Sequence, residues 1–293
     1  MPIKINNYII FINNLCNQKC NFCSAKDKMK EKKEISLKDI FKNILNKWNY
    51  IQISGWEPLL NPEIFKIIYF IRKNKKNCFI ELQTNGTLLL KNKNLDKLLK
   101  FYINLYNINY PSHIKKINDK IVWVDWTFNV REQAMKEIIK KWWKLRINIV
   151  LTKQNYRDLP KMISHIYKNF KWLEKIQFSF VKSIQKYEEK NKKSVFKKDI
   201  IPKYEEIKKY LIKALEKCEK YNIKVDVDHI PICFLWIYFK KHVDYHKIWL
   251  WEKWIFLKEK IYIKKCEKCD KKDICSWYRK DYLEIYWEKV WKI

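Results

Sequence analysis

Between residues 8 and 181, short apolar runs of strand length alternate with longer stretches whose apolar residues recur every three to four positions. That is the pattern of βα units built round a parallel sheet. Runs at 8–13, 50–54, 78–83, 121–125, 146–152 and 175–181 predict six strands. Within 146–152 the alternation assigns Ile147, Ile149 and Leu151 to a helix-covered face, and Asn148, Val150 and Thr152 to the inside of a curved sheet. Residues 175–181 divide in the same way, with Ile176, Phe178 and Phe180 on one face and Gln177 and Ser179 on the other. Ser36 with Asp39 three residues on opens a helix whose buried stripe is Ile40, Ile44 and Leu45. Asn61 and Pro62 supply the N-cap and first residue of another. From 182 to 198 the chain is polar, lysine-rich and without period, after which a helix over 204–221 and a short strand over 223–227 follow. The divisions are therefore a core at 1–185, a polar connector at 186–200 and a C-terminal unit at 201–293.

Two motifs carry chemistry, and both fall just after predicted strands. Cys16, Cys20 and Cys23 are spaced CxxxCxxC after the first run, and Ser54-Gly55-Trp56-Glu57-Pro58 follows the second. Three thiolates so close together can hold three irons of a [4Fe-4S] cluster, and with no fourth cysteine nearby one iron stays open for a ligand. A zinc knuckle would want that fourth ligand close by.

The spacing, with Phe22 before the last cysteine, resembles the signature of the radical S-adenosylmethionine (radical SAM) superfamily. The resemblance covers roughly residues 5–185. It implies an α/β fold of the partial (β/α)6 barrel type, with the active site at the C-terminal ends of the strands. It also implies that the open iron chelates SAM and that one electron cleaves it to a 5′-deoxyadenosyl radical, which takes a hydrogen atom from a substrate. The cofactors then supply the difficult chemistry and the protein positions it. In the family a Gly-Gly-Glu-Pro backbone embraces SAM, which points to Gly55, Trp56, Glu57 and Pro58 here, while polar strand ends point to Ser54, Thr84, Asn85 and Asp125, with Asn148 inside the barrel. Capping or turn formation explains any one of these polar residues equally well.

Trp56 departs from that pattern, because an indole would fill space that glycine leaves open. The chain has 2 glycines and 14 tryptophans, a sum close to an ordinary glycine share of about 7%. Several tryptophans stand where turns want positive φ: Trp142 and Trp143 after a helix, Trp126 after Asp125, and Trp48 and Trp277, with Trp249, Trp251 and Trp254 crowding one segment. A gene whose UGA codons mean glycine, read with UGA as tryptophan, explains the count; a truly tryptophan-rich chain is the alternative.

A second group, Cys266, Cys269 and Cys275 with Cys233 upstream, offers four thiolates and so a closed site. The segment from 265 to 287 resembles the auxiliary-cluster domains of SPASM and twitch type, which implies a second [4Fe-4S] cluster in a small cysteine-rich α+β extension; zinc fits the same four residues. Cys78 and Cys218 read as small core residues, and His229, His242 and His246 as loop or surface residues.

The formal net charge of +31 raises the question of a nucleic-acid partner, but its lysines are spread over every segment, so a solvated surface is the better reading. Cysteine usage indicates a reducing cytoplasm, and the apolar run near the N-terminus is too short for a signal peptide or membrane span. The resemblance thus implies hydrogen abstraction from a peptide, protein or small molecule, with flavodoxin or ferredoxin as electron donor. RNA modification, cofactor construction of the molybdenum-cofactor cyclase kind, and a non-catalytic iron-sulfur or zinc protein are the alternatives.

Overall fold

A computed structural model describes residues 7–23, 36–46, 48–182, 198–248, 260–275 and 277–286. The predicted connector lies largely outside them, as do Trp249, Trp251 and Trp254. Seven parallel strands follow one another across a single sheet in chain order: β1 (Asn7–Phe11), β2 (Tyr50–Ser54), β3 (Phe79–Thr84), β4 (Leu105–Asn109), β5 (Leu145–Leu151), β6 (Lys175–Phe180) and β7 (Val225–Asp228). The sheet is not closed, since β1 and β7 form its two edges. Helices α1 (Leu37–Ile44), α2 (Ile64–Asn74), α3 (Asn94–Leu99), α4 (Lys115–Val122), α5 (Thr127–Lys140), α6 (Leu159–Asn169) and α7 (Tyr204–Lys220) occupy the connections. Thus the sheet is the parallel α/β sheet that the alternation predicts, open as in the partial barrel that the resemblance implies.

The strand faces explain why. Ile10, Ile51, Ile53, Ile80, Leu82, Ile108, Ile147, Ile149, Ile176 and Phe178 are buried in one continuous core. Each such side chain contributes about 1.5–3 kcal/mol on burial. A one-residue slip would exchange that row for Gln52, Glu81, Gln83, Asn107, Arg146 and Gln177, so the register is fixed. Several of those polar groups pair with one another on the inner face of the sheet. Glu81, fully buried, accepts from the Tyr50 hydroxyl, from Asn107 Nδ2 at 2.7 Å and from Gln52 Nε2 at 3.2 Å, with Arg146 at 3.6 Å.

Several sequence expectations fail. Leu45 is exposed and not part of the buried stripe of α1, and Ser36 precedes that helix without a side-chain cap. Residues 121–125 are not a strand: Ile121 and Val122 close α4, and Trp123 ends it at φ 56°, its N–H donating to Asp119 O at 2.8 Å. The true fourth strand, Leu105–Asn109, alternates apolar Tyr106 and Ile108 with polar Asn107 and Asn109, the same division of faces as in β5 and β6. The strand count is also one short. Residues 225–228 belong to the main sheet, paired in parallel with β6, so the core extends past residue 185. Smaller elements follow: α8 (Val243–Ile248), the antiparallel pair β8 (Lys260–Ile261) and β9 (Tyr278–Arg279), and α9 (Lys280–Tyr286).

The tryptophans divide by backbone. Among the described residues ten non-glycines have positive φ, and five are Trp123, Trp142, Trp172, Trp236 and Trp277. Trp48, Trp56, Trp126 and Trp143 are not among them, which corrects the turn reading for Trp48, Trp126 and Trp143. Trp126 instead precedes α5 at φ −93°, and Trp48 stacks on Tyr8.

Candidate active site

The C-terminal ends of the strands open on a cavity of about 360 Å³. Cys16, Cys20 and Cys23 line it from the loop after β1, Ser54, Gly55 and Trp56 from the end of β2, Thr84 and Asn85 from β3, and Asn148 from β5. Seven chain segments remote in sequence converge there because every strand of a parallel sheet ends on the same side.

The three thiols face one another. Burial first, and then the other two cysteines, push Cys20 up to about 12; burial likewise pushes Cys16 up to about 11, with Glu57 and Cys23 adding to it. Thiolates so placed need a cation. Arg131, fully buried on α5, supplies positive charge beside Cys20 and anchors the adjacent turn through Nε to Asn85 O at 2.9 Å and Nη1 to Asn118 Oδ1 at 2.5 Å. Burial lowers its pKa to about 10, so it remains protonated at neutral pH.

Glu57 and Pro58 do not line the cavity; Glu57 points into the protein. Its carboxylate accepts from Thr84 Oγ1 at 2.7 and 2.9 Å, from Asn85 N at 2.8 Å and from Leu59 N at 3.1 Å, tying the end of β2 to the end of β3. Pro58 begins the 3₁₀ turn that follows. Gly55 is required by contact: at φ 156° a Cβ would lie 2.7 Å from Asn13 Oδ1. Asp125 stands apart, exposed in the turn between α4 and α5 with its carbonyl bound to Lys115 Nζ at 2.8 Å, so the strand-end role expected for it is corrected together with the strand.

The donor set fits the cluster and cofactor that the sequence suggested. The cavity wall carries buried polar atoms without partners, Gln18 Nε2, Asn107 Oδ1 and Asn109 Oδ1, available to a polar ligand. Trp56 Nα donates to Asn13 Oδ1 at 3.3 Å, and its indole borders the space. Among the described residues no three His, Cys, Asp or Glu side chains converge tightly enough for a single metal ion. A cluster with one thiolate per iron needs a wider spread of ligands than that.

At the other cysteine group, burial and then Cys275, Cys269 and Cys266 push the Cys233 thiol up, so the structure brings all four thiols near one another. Cys78 and Cys218 are buried in the core, as expected. Sequence reasoning missed several wall residues, among them Gln18, Asn107, Asn109, Lys182 and His229. His229 follows β7, and recognising 225–228 as a sheet strand would have placed it at a catalytic end.

Residues 10–166 match the radical SAM superfamily model, just over half of the chain. The chain belongs to the radical SAM superfamily, whose members work with a [4Fe-4S] cluster and SAM, and it is an enzyme of that class with its reaction left open. Among curated relatives it is 40% identical over 89 residues to GTP 3′,8-cyclase of Clostridium acetobutylicum, 27% of either chain. Among solved structures, Streptococcus suis SuiB bound to precursor peptide SuiA superposes with a TM-score of 0.60 at 17% identity, over 76% of this chain and 48% of that one. Native anSMEcpe with bound AdoMet and Cp18Cys peptide gives 0.56 at 26% identity, over 75% and 62%. The chain therefore spans about a quarter of that curated relative and about half of SuiB. No helix among the described residues is long and apolar enough to cross a membrane.

Proposed function

We propose that this chain cleaves SAM reductively and uses the resulting 5′-deoxyadenosyl radical to take a hydrogen atom from a peptide or protein. The observation that carries this is the trio Cys16, Cys20 and Cys23, facing one another on the wall of a cavity also lined by Ser54, Gly55, Thr84, Asn85 and Asn148. The three cysteines would hold the cluster, and Arg131 would offset the thiolate charge from behind. The backbone at Gly55 and Trp56, the hydroxyls of Ser54 and Thr84 and the carboxamides of Asn85 and Asn148 would hold SAM, while Glu57 keeps the two loops in register. Cys233, Cys266, Cys269 and Cys275 would hold a second [4Fe-4S] cluster. A peptide substrate is supported by that cysteine-rich segment and by the peptides named with SuiB and anSMEcpe. The likeness to GTP 3′,8-cyclase supports a second reading, a nucleotide-sized substrate. A flavodoxin or ferredoxin would supply the electron, in a reducing cytoplasm.

The tryptophans bear on this reading directly. We propose that many of them stand for glycine in the living protein, Trp56 included. Five left-handed tryptophans support it, because L-residues other than glycine pay about 1–2 kcal/mol in that conformation. UGG codons at Trp56, Trp123 and Trp277 would rule it out at those sites.

The test is anaerobic reconstitution of the Trp56→Gly protein. About seven to eight irons per chain, a change in the cluster spectrum on adding SAM and release of 5′-deoxyadenosine on reduction are expected. Intact clusters without SAM cleavage would leave a non-catalytic relative.

A further inference from the structure

His229 is the histidine of the cavity wall, and no signature accounts for it. It sits at the C-terminal end of β7, on the same cavity as the three N-terminal cysteines, with a fifth of its side-chain surface open. Its φ is 67°, a conformation that costs a non-glycine residue on the order of 1–3 kcal/mol and that is kept where the surroundings enforce it. Here they do: the Tyr204 hydroxyl of α7 donates to the His229 carbonyl at 3.2 Å, and Tyr204 is in turn stacked on Tyr282 with ring centroids 3.8 Å apart.

The ring's chemistry is equally specific. Nδ1 is buried and makes no aligned hydrogen bond, yet the Asp228 carboxylate stands 3.1 Å from it. A small rotation of the ring would give the Asp–His pairing that places the proton on Nδ1 and leaves Nε2 as an acceptor. Around it stand Lys182 after β6, Arg279 of β9, Lys260 of β8 and His242, which borders β7. Arg279 is held by Asp281 at 2.9 Å through two nitrogens, and Lys260 is paired with Asp244. Burial first, then Lys182, Arg279 and Lys260, hold the imidazole well below its ordinary value of 6.5, so it is neutral at pH 7.

We infer that His229, oriented by Asp228, is the proton acceptor for the substrate at the end of the SAM cavity formed by β6 and β7. The inference rests on the proposed radical chemistry. When a hydrogen atom has left a carbon, an adjacent O–H, N–H or S–H group becomes a much stronger acid. His229 takes that proton: the substrate X–H bond breaks, its electron pair stays on the substrate, and an N–H bond forms at Nε2. The Asp228 carboxylate, 3.1 Å from Nδ1, offsets part of the cost that burial and the neighbouring cations set on the imidazolium so formed. The residue therefore selects substrates that bear an ionisable hydrogen beside the carbon attacked.

The first experiment is NMR of the Trp56→Gly protein labelled at its five histidines, with His229→Gln to assign the signal and S-adenosylhomocysteine as the probe. The His229 signal is expected to stay that of a neutral ring with Nδ1 protonated from pH 6 to 8 and to shift when the probe fills the cavity. A ring protonated at pH 7, or one that does not respond although calorimetry shows the probe bound, overturns the inference alone; failure of the probe to bind overturns the SAM reading instead. If His229→Gln reconstitutes with about half the iron of its parent, the ring is a cluster ligand and the inference also falls. The second experiment uses whatever peptide or nucleotide raises 5′-deoxyadenosine formation. His229→Gln should lower product formed per 5′-deoxyadenosine by about 100-fold or more and abolish the acid limb of the pH profile; an unchanged ratio and profile overturn it.

Discussion

At the scale of single residues the tryptophans separate into two kinds, and the end of α5 holds one of each. Trp142 N donates to Ile139 O at 2.9 Å and Trp143 N to Ile138 O at 3.1 Å, the paired bonds of a Schellman cap. In that motif the left-handed position favours glycine and the next residue is often apolar. Trp142, at φ 62° and 84% exposed, is the first, and Trp143, half-buried against Tyr102, is the second. The end of α7 has the same bonds, but there the left-handed residue is Asn222, a type that tolerates the conformation. Replacing Trp142 by glycine should therefore stabilise the protein by about 1 kcal/mol, the strain relieved exceeding the entropy glycine loses. The melting temperature should rise by about 2–4 °C. Trp143→Gly should destabilise instead, since it removes packing without relieving strain. Equal effects of the two substitutions in thermal melts would contradict this account of the cap.

At the scale of elements, the loop joining β2 to its 3₁₀ turn depends on one buried carboxylate. Burial raises the Glu57 pKa above its ordinary 4.5, against the hydrogen bonds from Asn85, Thr84 and Leu59 that lower it. The folded protein thus binds this proton more tightly than the unfolded chain does, and stability should fall as pH rises from about 4.5 through the raised value. Glu57→Gln should remove that slope. At neutral pH it should also cost about 1–3 kcal/mol, because an amide turns an NH₂ group toward donors. Urea midpoints of both proteins between pH 4 and 8 check both effects, and parallel pH profiles would show that Glu57 does not titrate in this window.

Such a role was hidden in the sequence. Glu57 was legible as part of a motif, but that it faces Thr84 rather than the cavity follows from the register of β2 against β3. Alternation revealed β5 and β6 because one of their faces is polar. It was equally present in β4, where Asn107 and Asn109 alternate with Tyr106 and Ile108, but the run 121–125 was taken in its place because the apolar end of α4 runs without a break into Trp123. Asp125 was lost to the cavity and His229 overlooked for that one reason, an error in the strand list. The cysteine spacing needed no strand list, and the structure brings Cys16, Cys20 and Cys23 together on the cavity wall.

At the scale of the whole molecule, the surface charge and the cysteine sites make separable demands. Excess lysine spread over every segment should bind RNA through phosphates alone, without sequence preference. Affinity for a single strand should then fall by about 0.7 log units, per phosphate neutralised, for each tenfold rise in salt. A handful of contacts would make binding negligible by physiological ionic strength. Iron loading should not follow salt at all, because each thiolate bond is local and Arg131 lies fully buried beside Cys20, out of reach of screening. Arg131→Met leaves the volume nearly filled but removes that charge, so the N-terminal cluster should load more weakly or be lost to chelators sooner, while the C-terminal group of Cys233, Cys266, Cys269 and Cys275 keeps its iron. Iron per chain for Arg131→Met, for Cys20→Ala and for Cys269→Ala, measured after a chelator challenge at low and high salt, tests this. The first two should lose one cluster of about four irons and the third the other. Loss of both clusters in Arg131→Met would instead mean that the guanidinium supports the fold as a whole.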